Sequence, residues 1–260
     1  MRMPTLFISH GSPRLVVDSS PADFLAGYGR VLGKPRAIVI ASAHFHANHP
    51  AVVADAHPGM IYDFGGSNAE LFRLVYPAPG DPDLAAQVAE LLRAAGLAPA
   101  VMAKRGYDHG VWVPLMLLYP AADVPVVQIS VQPALGAAHH LALGRALATL
   151  ADDGILVIGS GSLTHNLHEF FRGGHAPDAP APSWVADFED WIREKATAGA
   201  VDDLVHYRER APFARDNHPT EEHVLPLHFA LGAGGAGAKG TRIHASHRNG
   251  VLSMDTYAFG

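Results

Sequence analysis

The chain has 260 residues, 48% of them hydrophobic and 17% charged, with a formal net charge of −6 and no cysteine. That is a globular composition with ample core, and its negative balance argues against nucleic acid or an anionic membrane surface as the main partner. The missing thiols exclude disulfides, cysteine nucleophiles, iron–sulfur clusters and thiolate-bound zinc, which fits a cytoplasmic setting.

Met1-Arg2 leads straight toward an expected strand without the pattern of a signal peptide, and no apolar run approaches the ~18 residues of a membrane span. The unusual number is 17 histidines, against 19 lysines and arginines together. Histidine is the commonest metal ligand and a general acid or base near neutral pH. A metal site uses about three or four ligands, so most of the 17 are expected to be surface or loop residues.

In chain order, residues 5–8 are a short apolar run, as expected for a strand buried on both faces. Gly11 and Pro13 stop it, which leaves His10 at the strand's carboxyl end, where open α/β sheets bind ligands. Residues 19–32 read as a helix, with Ser20 as N-cap and Pro21 in the first position. Residues 37–41 form a second buried strand that runs into His44. Strand–helix–strand predicts a parallel pair, so His10 and His44 should emerge at one edge.

Residues 52–54 and 61–66 read as irregular or edge structure. Residues 81–95 give the clearest helix, with Asp81 as cap, Pro82 in the first turn and Gly96 as stop. His109 falls in a tight Asp-His-Gly turn ahead of an apolar run. Residues 124–131 are a third buried strand and 137–150 a helix whose His139-His140 pair is expected to be solvated. Residues 155–158 are a fourth buried strand, followed by a glycine turn and His165.

Residues 173–182, rich in Gly, Ala and Pro, should be an exposed loop able to act as a lid. Trp184, Val185, Phe188, Trp191 and Ile192 make an amphipathic helical stripe. The segment from His218 to His223 should open a last helix, with Thr220 as N-cap. Residues 232–240 read as a flexible connector and 246–253 and 254–259 as closing strands. The expected architecture is α/β: a single three-layer α/β/α domain over residues 1–260, with a central, mostly parallel, mixed sheet and a metal site at the carboxyl ends of its strands.

Cofactor motifs can be set aside. Gly159-Ser160-Gly161 lacks the third glycine of a dinucleotide loop, since residue 164 is Thr, and no Walker lysine is present. No G-x-S-x-G elbow and no H-E-x-x-H occur either. His10, His44, His109, His165 and the 218–223 cluster remain. Imidazole donors with or without a carboxylate suit Zn(II) or Fe(II), and three protein ligands would leave room for a substrate. A zinc-dependent hydrolase using Glu221 or Glu222 as base is one reading of such a set, and a non-catalytic metal-binding protein another.

Five motifs in order, SHGSP, SAHF, DHGVWVPL, GSGSLTHNL and HPTEEHVLPL, resemble the class III extradiol ring-cleaving dioxygenases of the LigB-like superfamily. Within them the likeness is closest to the 4,5-DOPA dioxygenase type, and it runs from His10 to the SHRNGVLSMDTYAF ending. The resemblance implies a mononuclear non-haem Fe(II), a catechol and O₂ as small-molecule partners, and a ring-opened semialdehyde as product. It also implies that His10 and His44 are metal ligands, that His165 deprotonates the catechol and approaches the metal, and that His109 hydrogen-bonds substrate or oxygen. For the third ligand the broader class uses a carboxylate, whereas the DOPA-type branch uses the last histidine of HPTEEH. His223 is therefore preferred to Glu222. Such an all-histidine site would also take Zn(II) readily in the purified protein, and zinc, which has no redox chemistry, would leave the dioxygenase inactive.

Overall fold

Successive side chains along a strand leave for opposite faces of its sheet, and in the central strands here both sets are apolar. Leu6, Ile8, Ile38, Ile40, Leu156 and Ile158 pack on one side. Phe7 packs on the other, as do Val39, Ile155 and Val157. A sheet with two apolar faces must be covered twice. That requirement makes three layers.

A computed structural model describes residues 2–17, 21–66, 68–173 and 175–260, so the expected cap Ser20 lies outside the described residues. Its strands are β1 (Thr5–Ser9), β2 (Ala37–His46), β3 (Ala51–Val53), β4 (Ala100–Met102), β5 (Val126–Val131), β6 (Ile155–Gly161), β7 (Gly240–His244), β8 (His247–Arg248), β9 (Leu252–Ser253) and β10 (Thr256–Phe259). Eight form one sheet in the order β4-β3-β5-β2-β6-β1-β10-β7. The strands β5, β2, β6 and β1 are parallel, whereas β10 runs antiparallel to β1 and to β7. A mixed, mostly parallel sheet is the result.

The helices are α1 (Pro21–Leu32), α2 (Pro82–Ala94), α3 (His109–Leu118), α4 (Gly136–Ala146), α5 (Leu167–Arg172), α6 (Ser183–Ala198), α7 (Val201–Val205), α8 (Tyr207–Arg210), α9 (Ala214–Asn217) and α10 (Leu225–Ala233). Leu25 of α1 and Val111, Trp112 and Leu115 of α3 cover the first face. The second is covered by α2, α4 and α10 through residues such as Val88, Leu143 and Phe229, and by α6 through Phe188 and Ile192. The cap of α2 is as expected, with Asp81 accepting from the Leu84 amide.

Several local expectations needed correction. The strands β1 and β2 are parallel but not neighbours, because β6 inserts between them. Strand β2 continues to His46, its pairing with β5 shifting between Ala41 and His46. His109 opens α3 rather than sitting in a free turn. His140 is fully buried, with Nδ1 on the Gly136 carbonyl and Nε2 accepting the Gln132 amide, so it is a packed polar residue and not a solvated one. Thr220 is not a cap, since α10 starts at Leu225 with Pro226 in its first turn. Residues 246–253 fold as the small β8–β9 hairpin outside the main sheet, and β7 takes their place beside β10.

Candidate metal centre

The site is built where parallel strands end. His10 follows β1, and its amide donates to the Gly161 carbonyl at the end of β6 (2.9 Å). Gly11 then turns the chain with φ +64°, a left-handed conformation that a side chain would strain. His44 lies where the β2–β5 register shifts, and its amide is taken by Ser42 Oγ (3.1 Å). Ser42 in turn donates to Asp108 Oδ1 (2.6 Å), and Arg105 pairs with the other oxygen (2.8 Å). Asp108 is the residue before α3, so this network ties the start of that helix, and His109 with it, to the bend in β2.

The Gly-Ser-Gly run in β6 serves both faces. A Cβ on Gly159 would strike the Pro226 carbonyl, and one on Gly161 the His223 carbonyl. The two glycines thus let the first turn of α10 and the segment before it press on the strand, and the Ser162 amide holds the His223 carbonyl there (2.9 Å). Ser160, pointing to the opposite face, donates to the Gly110 carbonyl. Its only proton is spent, so Ser160 Oγ must accept from His10 Nδ1 (3.0 Å). That fixes the His10 tautomer and leaves Nε2 as a lone pair.

The same pattern recurs at the neighbouring rings. His44 Nδ1 faces Asp63 Oδ2 (3.5 Å), and His109 Nδ1 donates to Asp63 Oδ1 (2.9 Å). His223 Nδ1 donates to Glu222 Oε1 (3.1 Å). His10 Nε2 and His44 Nε2 meet at 3.1 Å. Ligand atoms of His10, His44 and His223 all lie within 4.8 Å of one another. His165 stacks face to face on His223, with ring centroids 3.5 Å apart and 9° between planes, and His109 lies 3.9 Å from His44.

Burial holds His10, His44, His165 and His223 neutral. It pushes His10 and His223 well below the ordinary value, helped by the neighbouring rings. His44 falls to about 3, mainly by burial, then through His109, although Asp63 opposes the shift. His165 falls to about 4, again by burial, with Glu222 pulling the other way. The Asp63 carboxyl is held down at about 2: burial would raise it, but the hydrogen bond and charge of His109 outweigh that. Neutral imidazoles beside an ionised carboxylate are a ligand set with its lone pairs available at neutral pH.

All five sequence-selected histidines, His10, His44, His109, His165 and His223, line one cavity of about 510 Å³, walled on its apolar side by Phe64, Phe170, Phe171 and Leu252. His218 is not among them, being fully buried with Nε2 on the Leu163 carbonyl (2.7 Å). Glu221 faces elsewhere, accepting from the Tyr207 hydroxyl (2.6 Å) and pairing with Arg208 (3.5 Å). It is therefore unsuited to be the base of a hydrolase. Asp63 and Ser160 were missed by sequence reasoning. Each looks ordinary in its own stretch, and only the fold brings it to a ring nitrogen.

A model of the family described as the catalytic LigB subunit of aromatic ring-opening dioxygenase matches residues 4–260. The chain belongs to that family. It is a LigB-type extradiol dioxygenase, and the hydrolase reading is not favoured. It is 42% identical to a 4,5-DOPA dioxygenase extradiol of Beta vulgaris over 98% of this chain and 96% of that one. A protein of the same description from Escherichia coli K12 is 40% identical over 89% of this chain and 85% of its own length. A solved structure of an uncharacterized Escherichia coli K12 protein superposes with a TM-score of 0.81 at 34% identity, covering all of both chains.

LigB dioxygenases use a metal, and the donors here fit one. Two imidazole nitrogens 3.1 Å apart have the separation expected of donors sharing a first-row metal at about 2.0–2.1 Å. Each candidate donor ring also has its second nitrogen engaged, as metal-bound histidines do.

Proposed function

We propose that this LigB enzyme cleaves catechols of the DOPA type, with one Fe(II) held by His10, His44 and His223. One observation carries the ligand set: three imidazoles whose Nδ1 atoms face Ser160, Asp63 and Glu222 have ligand nitrogens within 4.8 Å of one another and line one cavity. Glu222, engaged by the Nδ1 of His223 and by Thr220 Oγ1 (3.0 Å), fits better as the group that orients His223 than as the third ligand. The substrate class is supported by relatives named 4,5-DOPA dioxygenase extradiol and by aromatic walls suited to a flat ring.

When bound, Fe(II) supplies a Lewis acid and a redox centre between catechol and O₂, whereas Zn(II) supplies only the first. The residues of the chain do the rest. His165, neutral and stacked on His223, takes the proton of a catechol hydroxyl at its ring nitrogen. His109, anchored through Nδ1 by Asp63, presents its other nitrogen to the oxygens of the substrate. Phe64, Phe170 and Phe171 clamp the ring and exclude water. A cytoplasmic setting suits a ferrous enzyme without cysteines.

Oxygen uptake after anaerobic Fe(II) loading, with DOPA, protocatechuate, caffeate and plain catechol, tests the reading. Uptake coupled to a yellow ring-opened product, and absent from the Zn(II)-loaded protein, is the expected result. Silence with every catechol, despite stoichiometric iron, would overturn it.

A further inference from the structure

Four of the five histidines that line the metal-site cavity have Nδ1 facing a side-chain oxygen: His10 on Ser160, His44 and His109 on Asp63, and His223 on Glu222. His165 is the exception. Its ring has no side-chain hydrogen-bond partner among the described residues and lies flat against His223. Where that imidazole points is therefore decided by the stack and by the backbone that carries it. A reacting group misplaced by ~1 Å can lose about 10²-fold in rate, so whatever holds that backbone bears on the reaction.

The segment from the end of β6 to His165 is held at every residue. The Ser162 amide donates to the His223 carbonyl (2.9 Å) and its hydroxyl to the Thr164 carbonyl (2.7 Å). The Leu163 amide donates to Ser9 Oγ (3.0 Å), and its carbonyl accepts from the buried His218 Nε2 (2.7 Å). The His165 amide donates to the Asn217 carbonyl (2.9 Å). Thr164 is fastened by its side chain. Its hydroxyl donates to the Val251 carbonyl (2.9 Å) and accepts the Ser253 amide (2.8 Å) on the β8–β9 hairpin. Leu252, between those two residues, walls the metal-site cavity. The hairpin is a firm support, since His247 Nε2 donates to the buried Glu189 of α6 (2.8 Å) and the Met254 amide to the Ser246 carbonyl (2.8 Å).

We infer that Thr164 is a positioning residue for ring cleavage, its hydroxyl clasping the β8–β9 hairpin to the segment that carries His165 and so setting the base opposite the cavity wall at Leu252. The inference rests on the reading of His165 as the base that takes the catechol proton. Threonine suits the task because one hydroxyl both donates and accepts, and its branched Cβ restricts the rotamers. Thr164 is fully buried, so solvent does not stand in for that hydroxyl. It does not line the cavity and acts only through its neighbour.

The series Thr164→Ser, Thr164→Cys and Thr164→Val tests this by keeping the hydroxyl, weakening its donor and acceptor, and removing both at nearly constant size. In the Fe(II)-loaded protein, kcat should fall about 10–100-fold in Thr164→Val and less in Thr164→Cys. Thr164→Ser should stay close to wild type, and KM should change little throughout. A second readout needs no turnover. 4-Nitrocatechol changes colour when its hydroxyls ionise. Bound to the Zn(II)-loaded protein, it should need a higher pH to do so in Thr164→Val than in wild type or Thr164→Ser. Thr164→Cys carries the test if the valine variant does not fold. Equal losses in Thr164→Ser and Thr164→Val, an unchanged kcat in Thr164→Val, or losses that follow metal content alone would overturn the clasp. His165→Ala separates the two readings. If it lowers kcat while Thr164→Val does not, the clasp fails and the base stands. If His165→Ala turns over at the wild-type rate, the base reading fails and the clasp with it.

Discussion

At the scale of single residues, the site is a set of imidazoles with one nitrogen engaged and the other presented. His223 and Glu222 are adjacent in sequence but have different duties under this reading, and metal content distinguishes them. His223→Ala should lose its metal on dialysis. Glu222→Gln should keep it with about 10–100-fold weaker affinity, the usual effect of losing an outer-shell partner. Metal analysis after dialysis that found the reverse order would make the carboxylate the ligand. His165 does not share the burden of holding the metal in this reading. In His165→Ala, kcat should fall about 10²–10⁴-fold, the range for removing a general base, while a catechol still binds. Pre-steady-state binding and turnover measured on one preparation would expose a loss of binding instead.

At the scale of elements, the decisive contact is between β6 and the turn entering α10. Gly161 has no room for a Cβ because the His223 carbonyl occupies that space, and the Ser162 amide holds the carbonyl in place. Gly161→Ala should therefore push His223 away from His10 and His44, lowering metal affinity and destabilising the fold by about 1–3 kcal/mol, as overpacking does. Thermal melts with and without metal would read both effects. A variant with unchanged melting temperature and full metal content would show that the strand–turn contact does not set the position of His223.

At the scale of the whole molecule, the buried histidines dominate the response to acid. His44, His140 and His218 are lowered to about 3 and His165 to about 4, in each case chiefly by burial, and His10, His223 and His228 are lowered too. In the unfolded chain all titrate near the ordinary value of about 6.5. Below that pH the unfolded state binds protons the folded state refuses, so stability falls as pH falls toward the folded values. His247, raised by its hydrogen bond to Glu189, and Asp255, raised to about 6 by burial, act in the opposite sense. Their contribution is largest in acid and is lost as pH rises. They are outnumbered. The metal-free protein should lose melting temperature steadily from about pH 6.5 toward pH 4.5, and a flat or rising profile in a pH series of melts would contradict this balance.

The sequence by itself determined the four central parallel strands, the two-faced sheet and the histidines at strand ends. Burial on both faces writes an uninterrupted apolar run, and a run that stops at a histidine marks a sheet edge. Order and motif likewise carried the resemblance from SHGSP to HPTEEH. Only the tertiary structure decided what those histidines touch. It placed β6 between β1 and β2, which no local pattern encodes because strand order is set by packing across the whole sheet. It also separated His223 from Glu221 and His218, buried His140, and brought Asp63 and Ser160 to places their neighbours in sequence do not announce. Local propensity acts over a few residues. Tautomers and lowered pKa values come from side chains distant in sequence, and these exist only once the chain has closed on itself.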